Sequence, residues 1–281
     1  MNVSKTDFFE KEESEIERLT PLIKVQKNLD AIELLKELLL NDTAPKDISV
    51  QQRNILKGYT GWGGCRDVFD RREKYANRMK TAKERMEKVL SREEYGSCEE
   101  SSLTGFYTPE SLIEPIIRRL DDFGFKDGSV LEPSAGIGSW LSGPEEICCW
   151  MNFHAVEKDV LTGQILRYLY PEASVQVCGF EVSNIQFESM DAIVGNIPFG
   201  DYQVSDPSYN AYNLLIHDYF MVKLTDVLKY GGIMAVITST GTLDKRSTKA
   251  RELMRAKGAE FIGAIRLPEG TFSGTKARGD L

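Results

Sequence analysis

Apolar residues in the first hundred positions recur at helical spacing. Ile16, Leu19 and Ile23, then Leu29, Ile32, Leu35 and Leu39, fall three or four residues apart within each group, with Asp, Glu and Lys between them. That is an apolar stripe along one face of a helix, and the polar run 41–46 ends it. Ser49 is placed to cap a short helix reaching Leu56. The chain then enters Gly58-Tyr59-Thr60-Gly61-Trp62-Gly63-Gly64, too rich in glycine for helix and predicted to be a tight loop. Residues 66–94 carry mixed charges and read as a helical stretch with a solvated face.

The pattern changes after Ser101. Thr108-Pro109 predicts a helix with proline in its first position and Leu112, Ile113, Ile116, Ile117 and Leu120 on its buried side. Short apolar runs follow at 129–132, 152–157, 174–179, 192–196, 232–239 and 261–267, alternating with helical segments such as 161–170 and 214–230. Strands alternating with helices predict an α/β fold, a mostly parallel sheet with helices on both faces. The expected organisation is a helical module over 1–100 and an α/β domain over 101–281, divided in the Ser/Gly/Glu-rich stretch 96–105.

Composition narrows the class. With 281 residues, 41% hydrophobic and 28% charged, the chain can bury a good-sized core and is neither low-complexity nor a disordered acidic tail. The strongest apolar run, 34–40, is short and broken by Lys36 and Glu37, so no membrane partner is expected. The first ten residues lack the basic-then-apolar order of a secretory signal, and the five cysteines form no Cys-x-x-Cys pair, which together predict a reducing, cytoplasmic setting. Two histidines leave little scope for a His-based metal site or a Ser-His-Asp triad, and no metal is expected. The formal charge of −8 argues against nucleic acid for the surface as a whole but says nothing about one cleft.

Two segments carry chemistry. Leu131-Glu132-Pro133-Ser134-Ala135-Gly136-Ile137-Gly138 lies where the first predicted strand gives way to helix, at the sheet edge where α/β proteins bind ligands. A dinucleotide fingerprint would have a third glycine at position 141, which is Leu141. Glu157, nineteen residues after Gly138, is placed at the end of the second strand to accept hydrogen bonds from a ribose diol. The pair points to a nucleoside-containing cofactor without a pyrophosphate; a plain strand-to-helix turn accounts equally for the glycines. The second segment, Ala192-Ile193-Val194-Gly195-Asn196-Ile197-Pro198-Phe199, delivers Asn196 to the same edge. An exocyclic amine conjugated to a purine is a weak nucleophile. If the Asn196 side-chain oxygen and the Ile197 carbonyl each accept one amine hydrogen, the nitrogen is drawn toward tetrahedral geometry with no strong base required. Phe199 would stack on a flipped base.

These segments resemble motifs I and IV of the S-adenosylmethionine-dependent adenine-N6 DNA methyltransferases, and Gly105-Phe106-Tyr107-Thr108-Pro109 is similar to their motif X in the gamma arrangement. With Tyr59-Thr60-Gly61-Trp62-Gly63-Gly64 and Arg266-Leu267-Pro268, the chain from about 45 to 272 resembles the methylase region of large methylase–helicase proteins of bacterial mobile elements. The resemblance implies a Rossmann-like methyltransferase fold, S-adenosylmethionine as cofactor and methyl transfer to N6 of a flipped adenine, within a restriction-modification or mobile-element system. Asn196, Ile197, Pro198 and Phe199 would form the catalytic turn. Tyr107 and Thr108 would hold the methionine end, lined by Pro133, Ala135, Gly136 and Gly138, with Glu132 near its amino group, Glu157 on the ribose, and Phe180 and Glu181 beside the adenine. Ile197 stands where the family more often has proline. The family's closing antiparallel strands are not legible after Phe272, which implies a missing last strand, and no target-recognition region follows motif IV. Double-stranded DNA is the implied partner, with phosphate contacts expected from Lys245, Arg246, Lys249 and Arg251, and with a helicase or target-recognition region elsewhere in a longer protein. Two other readings stand beside this one: a glutamine-amide or RNA methyltransferase, because an Asn-x-Pro-aromatic turn suits any planar amine, and a non-catalytic DNA- or protein-binding fragment that keeps the fold.

Overall fold

The computed structural model describes residues 19–70, 79–105, 107–268 and 271; Ile16 of the expected stripe, Phe106 of the motif X segment and residues 272–281 lie outside them. Five strands, β1 (Gly128–Glu132), β2 (Met151–Glu157), β3 (Ser174–Val177), β4 (Met190–Asn196) and β5 (Leu228–Ile237), form one sheet in the order β3-β2-β1-β4-β5. Every pairing is parallel, as expected for the α/β class. The chain builds outward from β1 to β3 and then returns to the other side of β1 with β4. The switch between β1 and β4 opens a crevice beyond their carboxyl ends.

Val130 and Leu131 of β1 and Ala192, Ile193 and Val194 of β4 are fully buried, which is why these central strands read as continuous apolar runs. Successive residues point to opposite faces. Val130, Ala192 and Val194 meet Leu112, Ile113, Ile117 and Leu120 of a helix at Glu110–Asp122, while Leu131 and Ile193 meet Tyr219, Phe220, Val222 and Leu224 of another at Ile216–Val227.

The helices are α1 (Pro21–Leu40), α2 (Val50–Lys57), α3 (Lys80–Val89), α4 (Arg92–Thr104), α5 (Glu110–Asp122), α6 (Glu145–Cys148), α7 (Val160–Leu169), α8 (Ile216–Val227), α9 (Gly241–Asp244) and α10 (Lys249–Ala256). Ser49 caps α2 as expected, reciprocally with Gln52. The N-terminal helices share a hydrophobic core with Leu161, Ile165, Tyr168 and Leu169 of α7. Arg53 of α2 donates to the carbonyls of Tyr168 (3.2 Å) and Leu169 (2.7 Å), and the Tyr168 hydroxyl donates to the Thr43 carbonyl (2.8 Å). Among the described residues, no helix is long and apolar enough to cross a membrane.

Four expectations need correction. Residues 66–94 are not one helical stretch: a 3-10 turn at Arg66–Val68 precedes α3, and extended Leu90 breaks the chain before Ser91 and Glu94 start α4 with a second capping box. The Ser/Gly/Glu-rich stretch 96–105, in which the division is expected, is not irregular but lies largely inside α4, anchored by buried Cys98. Pro109 is the extended cap of α5 (φ −59°, ψ 141°) and not its first helical residue. Residues 261–267 form no strand. Phe261, Ile262 and Ile265 are 72%, 69% and 85% exposed, and apolar alternation makes a strand only where a ladder partner exists.

Candidate active site

The two chemical segments meet at the crevice. The Ser134 hydroxyl donates to the Asn196 carbonyl (2.7 Å), and a Cβ added to Gly195 would lie 3.2 Å from the Pro133 ring, so the loop after β1 and the end of β4 lie against each other. Ala135, buried, donates its N–H to the Val156 carbonyl of β2 (2.9 Å). Gly136 and Gly138 both take left-handed conformations, φ 55° and 81°. Their missing side chains make room for protein: a Cβ at Gly136 would fall 2.5 Å from the Tyr107 ring, and one at Gly138 would fall 2.6 Å from Leu166 and 2.7 Å from Tyr170. Thr108 is buried beside Tyr107 in sequence.

Two carboxyls face this loop. Glu157 accepts from the N–H of Gly136 (2.7 Å) and of Asp159 (2.7 Å), while Glu132 is 2% exposed and its Oε2 has no partner. Burial pushes the Glu157 carboxyl up to about 7 against the pull of the Asp159 and Gly136 amides. Burial first, then the charge of Glu157, holds Glu132 well above the ordinary carboxylate range. Two close acids, Glu132 buried and Glu157 partly buried, are costly when both are ionised, and they fit a ligand that brings positive charge.

A pH dependence follows with a definite sign. Because the Glu157 pKa is raised by folding, its favourable contribution is complete below about 4.5 and is lost as pH rises through about 7. At about 1.4 kcal/mol per unit, the loss amounts to about 3 kcal/mol. Thermal unfolding of the ligand-free protein between pH 5 and 8 should fall more steeply than that of Glu157→Gln, and parallel curves would show that Glu157 is not the titrating group.

The turn after β4 holds buried Ile197, whose N–H donates to the Ile237 carbonyl of β5 (3.0 Å), then partly buried Pro198, then Phe199 at 37% exposure, open to a stacking partner. The Asn196 Oδ1 is buried without a partner. So are His217 Nδ1 and Asp218 Oδ1 in the first turn of α8. That turn lies at the same carboxyl edge, because α8 connects the carboxyl end of β4 to the start of parallel β5. Four of the five buried, unpartnered side-chain polar atoms among the described residues therefore belong to this edge: those of Glu132, Asn196, His217 and Asp218. Buried polar groups are normally paired, so such a concentration marks a place that takes a polar ligand.

Phe180, expected beside a cofactor, is 2% exposed and packs in the core against Tyr219 and Phe220, leaving partly buried Glu181 as the polar group after β3. A network that sequence reasoning missed lies beneath it. Lys223 Nζ donates to the Phe180 carbonyl (2.8 Å) and to Asp206 Oδ2 (3.0 Å), which also accepts from the Tyr219 hydroxyl (2.7 Å). The signal for it was a lone lysine among the apolar residues of α8.

The basic cluster is only partly free. Lys245 pairs with Asp218, and Arg251 donates to the carbonyls of Thr242 (3.1 Å), Leu243 (3.2 Å) and Lys245 (3.3 Å), satisfying the carboxyl end of α9. Both are engaged internally, which corrects their expected role as phosphate contacts. Arg246 and Lys249 are exposed.

No protein-family model matches the chain. It is 31% identical over 252 residues, 88% of its length, to the defense against restriction protein B of Escherichia phage P1, and it spans 9% of that protein. Solved structures similar to it include the type I restriction-modification methyltransferase subunit from Streptococcus thermophilus (15% identity, 82% of this chain and 59% of that one, TM-score 0.43). A TehB-like SAM-dependent methyltransferase from Corynebacterium glutamicum is 14% identical over 50% of this chain and 71% of that one, with a TM-score of 0.35.

Proposed function

We propose that this chain is the methyltransferase region of a larger protein and transfers a methyl group from S-adenosylmethionine to the N6 amine of a flipped adenine in DNA. Residues 1–100 serve as a helical module and 101–281 as the catalytic domain. The observation that carries this reading is the pair of unpartnered buried polar atoms of Glu132 and Asn196, at the carboxyl ends of the two strands that Ser134 ties together. S-adenosylmethionine would supply the electrophilic methyl group; its ammonium would give the unpartnered Glu132 a donor, and its ribose hydroxyls would give donors to Glu157. Glu132 takes the ammonium, and Glu157 exchanges its backbone partners for the ribose. Tyr107 and Thr108, with Pro133, Ala135, Gly136 and Gly138, shape the methionine end, and Glu181 borders the adenine end with Phe180 packed behind it in the core.

At the target, Asn196 Oδ1 and the Ile197 carbonyl accept the two amine hydrogens, Pro198 stiffens the turn, and Phe199 stacks on the base. The amine nitrogen forms its bond to the methyl carbon as the carbon–sulfur bond breaks. The surplus proton leaves to water once the nitrogen is alkylated. Exposed Arg246 and Lys249 meet phosphates near the crevice, and the longer protein supplies further DNA contacts. The partial likeness to a phage defence protein against restriction fits a chain that acts on DNA.

Titration with S-adenosylmethionine is expected to show saturable binding, and incubation with unmethylated genomic DNA and labelled cofactor to place the label on N6-methyladenine. Label on RNA or on a protein glutamine would overturn the DNA assignment. Binding without transfer to any of the three would favour the non-catalytic reading.

A further inference from the structure

The loop 59–64 of the helical module reaches the cofactor side of the sheet. Asn28 of α1, fully buried, grips it with both ends of its amide: Nδ2 donates to the Gly61 carbonyl (2.7 Å), and Oδ1 accepts from the Thr60 N–H (2.8 Å) and hydroxyl (3.2 Å). Gly61 is left-handed (φ 67°), and a Cβ there would lie 2.8 Å from the Tyr107 hydroxyl oxygen. The other side of the same ring meets Gly136, where a Cβ would fall 2.5 Å away. Tyr107 is thus held between two glycines, one from the helical module and one from the loop after β1.

A polar chain locks the arrangement to the end of β2. The Tyr59 hydroxyl, from the same loop, lies 3.1 Å from Thr162 Oγ1. Thr162 donates to Asp159 Oδ1 (2.7 Å), which caps α7, and Ser97 of α4 donates to Asp159 Oδ2 (2.5 Å). Asp159 in turn gives its N–H to Glu157. The module is therefore connected to Gly136 through Tyr107 and to Glu157 through Asp159, the two places proposed to meet the methionine end and the ribose.

We propose that the loop 59–64 is a wall of the cofactor pocket, with Asn28 and Gly61 as positioning residues that hold the Tyr107 ring over Gly136. This rests on the cofactor reading above. The wall acts on the methionine end, so its loss affects a ligand carrying that end more than one lacking it.

The test measures dissociation constants for S-adenosylmethionine and for adenosine on the full chain, unaltered and as Gly61→Ala, Asn28→Ala and Lys36→Met. Gly61→Ala drives a methyl group into the Tyr107 ring, and Asn28→Ala releases the loop. Each is expected to weaken S-adenosylmethionine binding at least tenfold while adenosine binding stays within about threefold. Lys36→Met cuts a tie elsewhere in the module, to Glu94 and the Val89 carbonyl. It should lower the melting temperature and leave both affinities unchanged, which separates loss of stability from loss of the wall. If Gly61→Ala does not fold, Asn28→Ala carries the test alone. Folded variants that bind S-adenosylmethionine as the unaltered protein does would overturn the inference and leave the proposed function standing. Failure of the unaltered protein to bind would overturn both.

Discussion

Asn196→Ala is expected to reduce methyl transfer at least about 100-fold while leaving S-adenosylmethionine affinity within twofold. The reduction is of the size seen when one preorganised hydrogen-bonding group is removed from a developing charge. Cofactor affinity is spared because the Asn196 contact with the cofactor loop runs through its backbone carbonyl, which accepts from Ser134 and survives the substitution. Stability adds a second, less intuitive outcome. The Asn196 Oδ1 is buried and unpartnered, and such an acceptor costs about 1–3 kcal/mol. Alanine removes that cost, so the variant should melt no lower than the unaltered protein. A large fall in melting temperature would mean that the side chain supports the fold and that lost transfer reports on folding instead. Retained transfer in a folded variant would remove Asn196 from the mechanism.

The parts of this site that are legible in the sequence are those whose physics is local. β1 and β4 announce themselves because strands buried on both faces must be apolar throughout, and Asn196 stands out as the first polar residue after such a run. Gly136 is legible as a turn glycine and is left-handed in the fold, but what fills its empty side cannot be seen in the sequence, because Tyr107 arrives there from another element. Phe180 illustrates the same limit. A phenylalanine after β3 is compatible with a ligand wall or with the core, and only the packing of Tyr219 and Phe220 decides it. Residues 261–267 have a strand's pattern without a strand's partner, and the helix across 96–105 follows from the Ser91–Glu94 capping box outweighing a Ser/Gly-rich composition. Lys245 and Arg251 look like free cations in one dimension and are paired in three.

Lys223→Met is expected to have the largest effect on stability. Lys223 and Asp206 each expose only 7% of their side chains, and the ammonium also satisfies the Phe180 carbonyl and lies 4.7 Å from the centre of the Phe180 ring. Removing the cation leaves Asp206 buried with the Tyr219 hydroxyl and the Ser208 N–H as its remaining donors. Breaking one half of a buried ion pair costs about 3–5 kcal/mol. Burial alone would raise the Asp206 carboxyl, but the bonds from Tyr219 and Lys223 outweigh it and hold it below the ordinary value. That lowered value means the pair's contribution is full above about pH 4 and disappears as pH falls through the folded-state pKa. The penalty of Lys223→Met should therefore be greatest at neutral pH and shrink toward pH 4, where the variant's buried carboxyl takes up a proton. Chemical denaturation of both proteins across that range measures the difference, and a pH-independent gap would show that lost packing, not the stranded carboxylate, is responsible. The double variant Asp206→Asn/Lys223→Met removes the charge as well, and should recover most of the neutral-pH loss. Because the same ammonium joins the Phe180 carbonyl to the loop that follows the Asn196 turn, Lys223→Met should also loosen the adenine end of the cofactor pocket, weakening S-adenosylmethionine even in the fraction that remains folded.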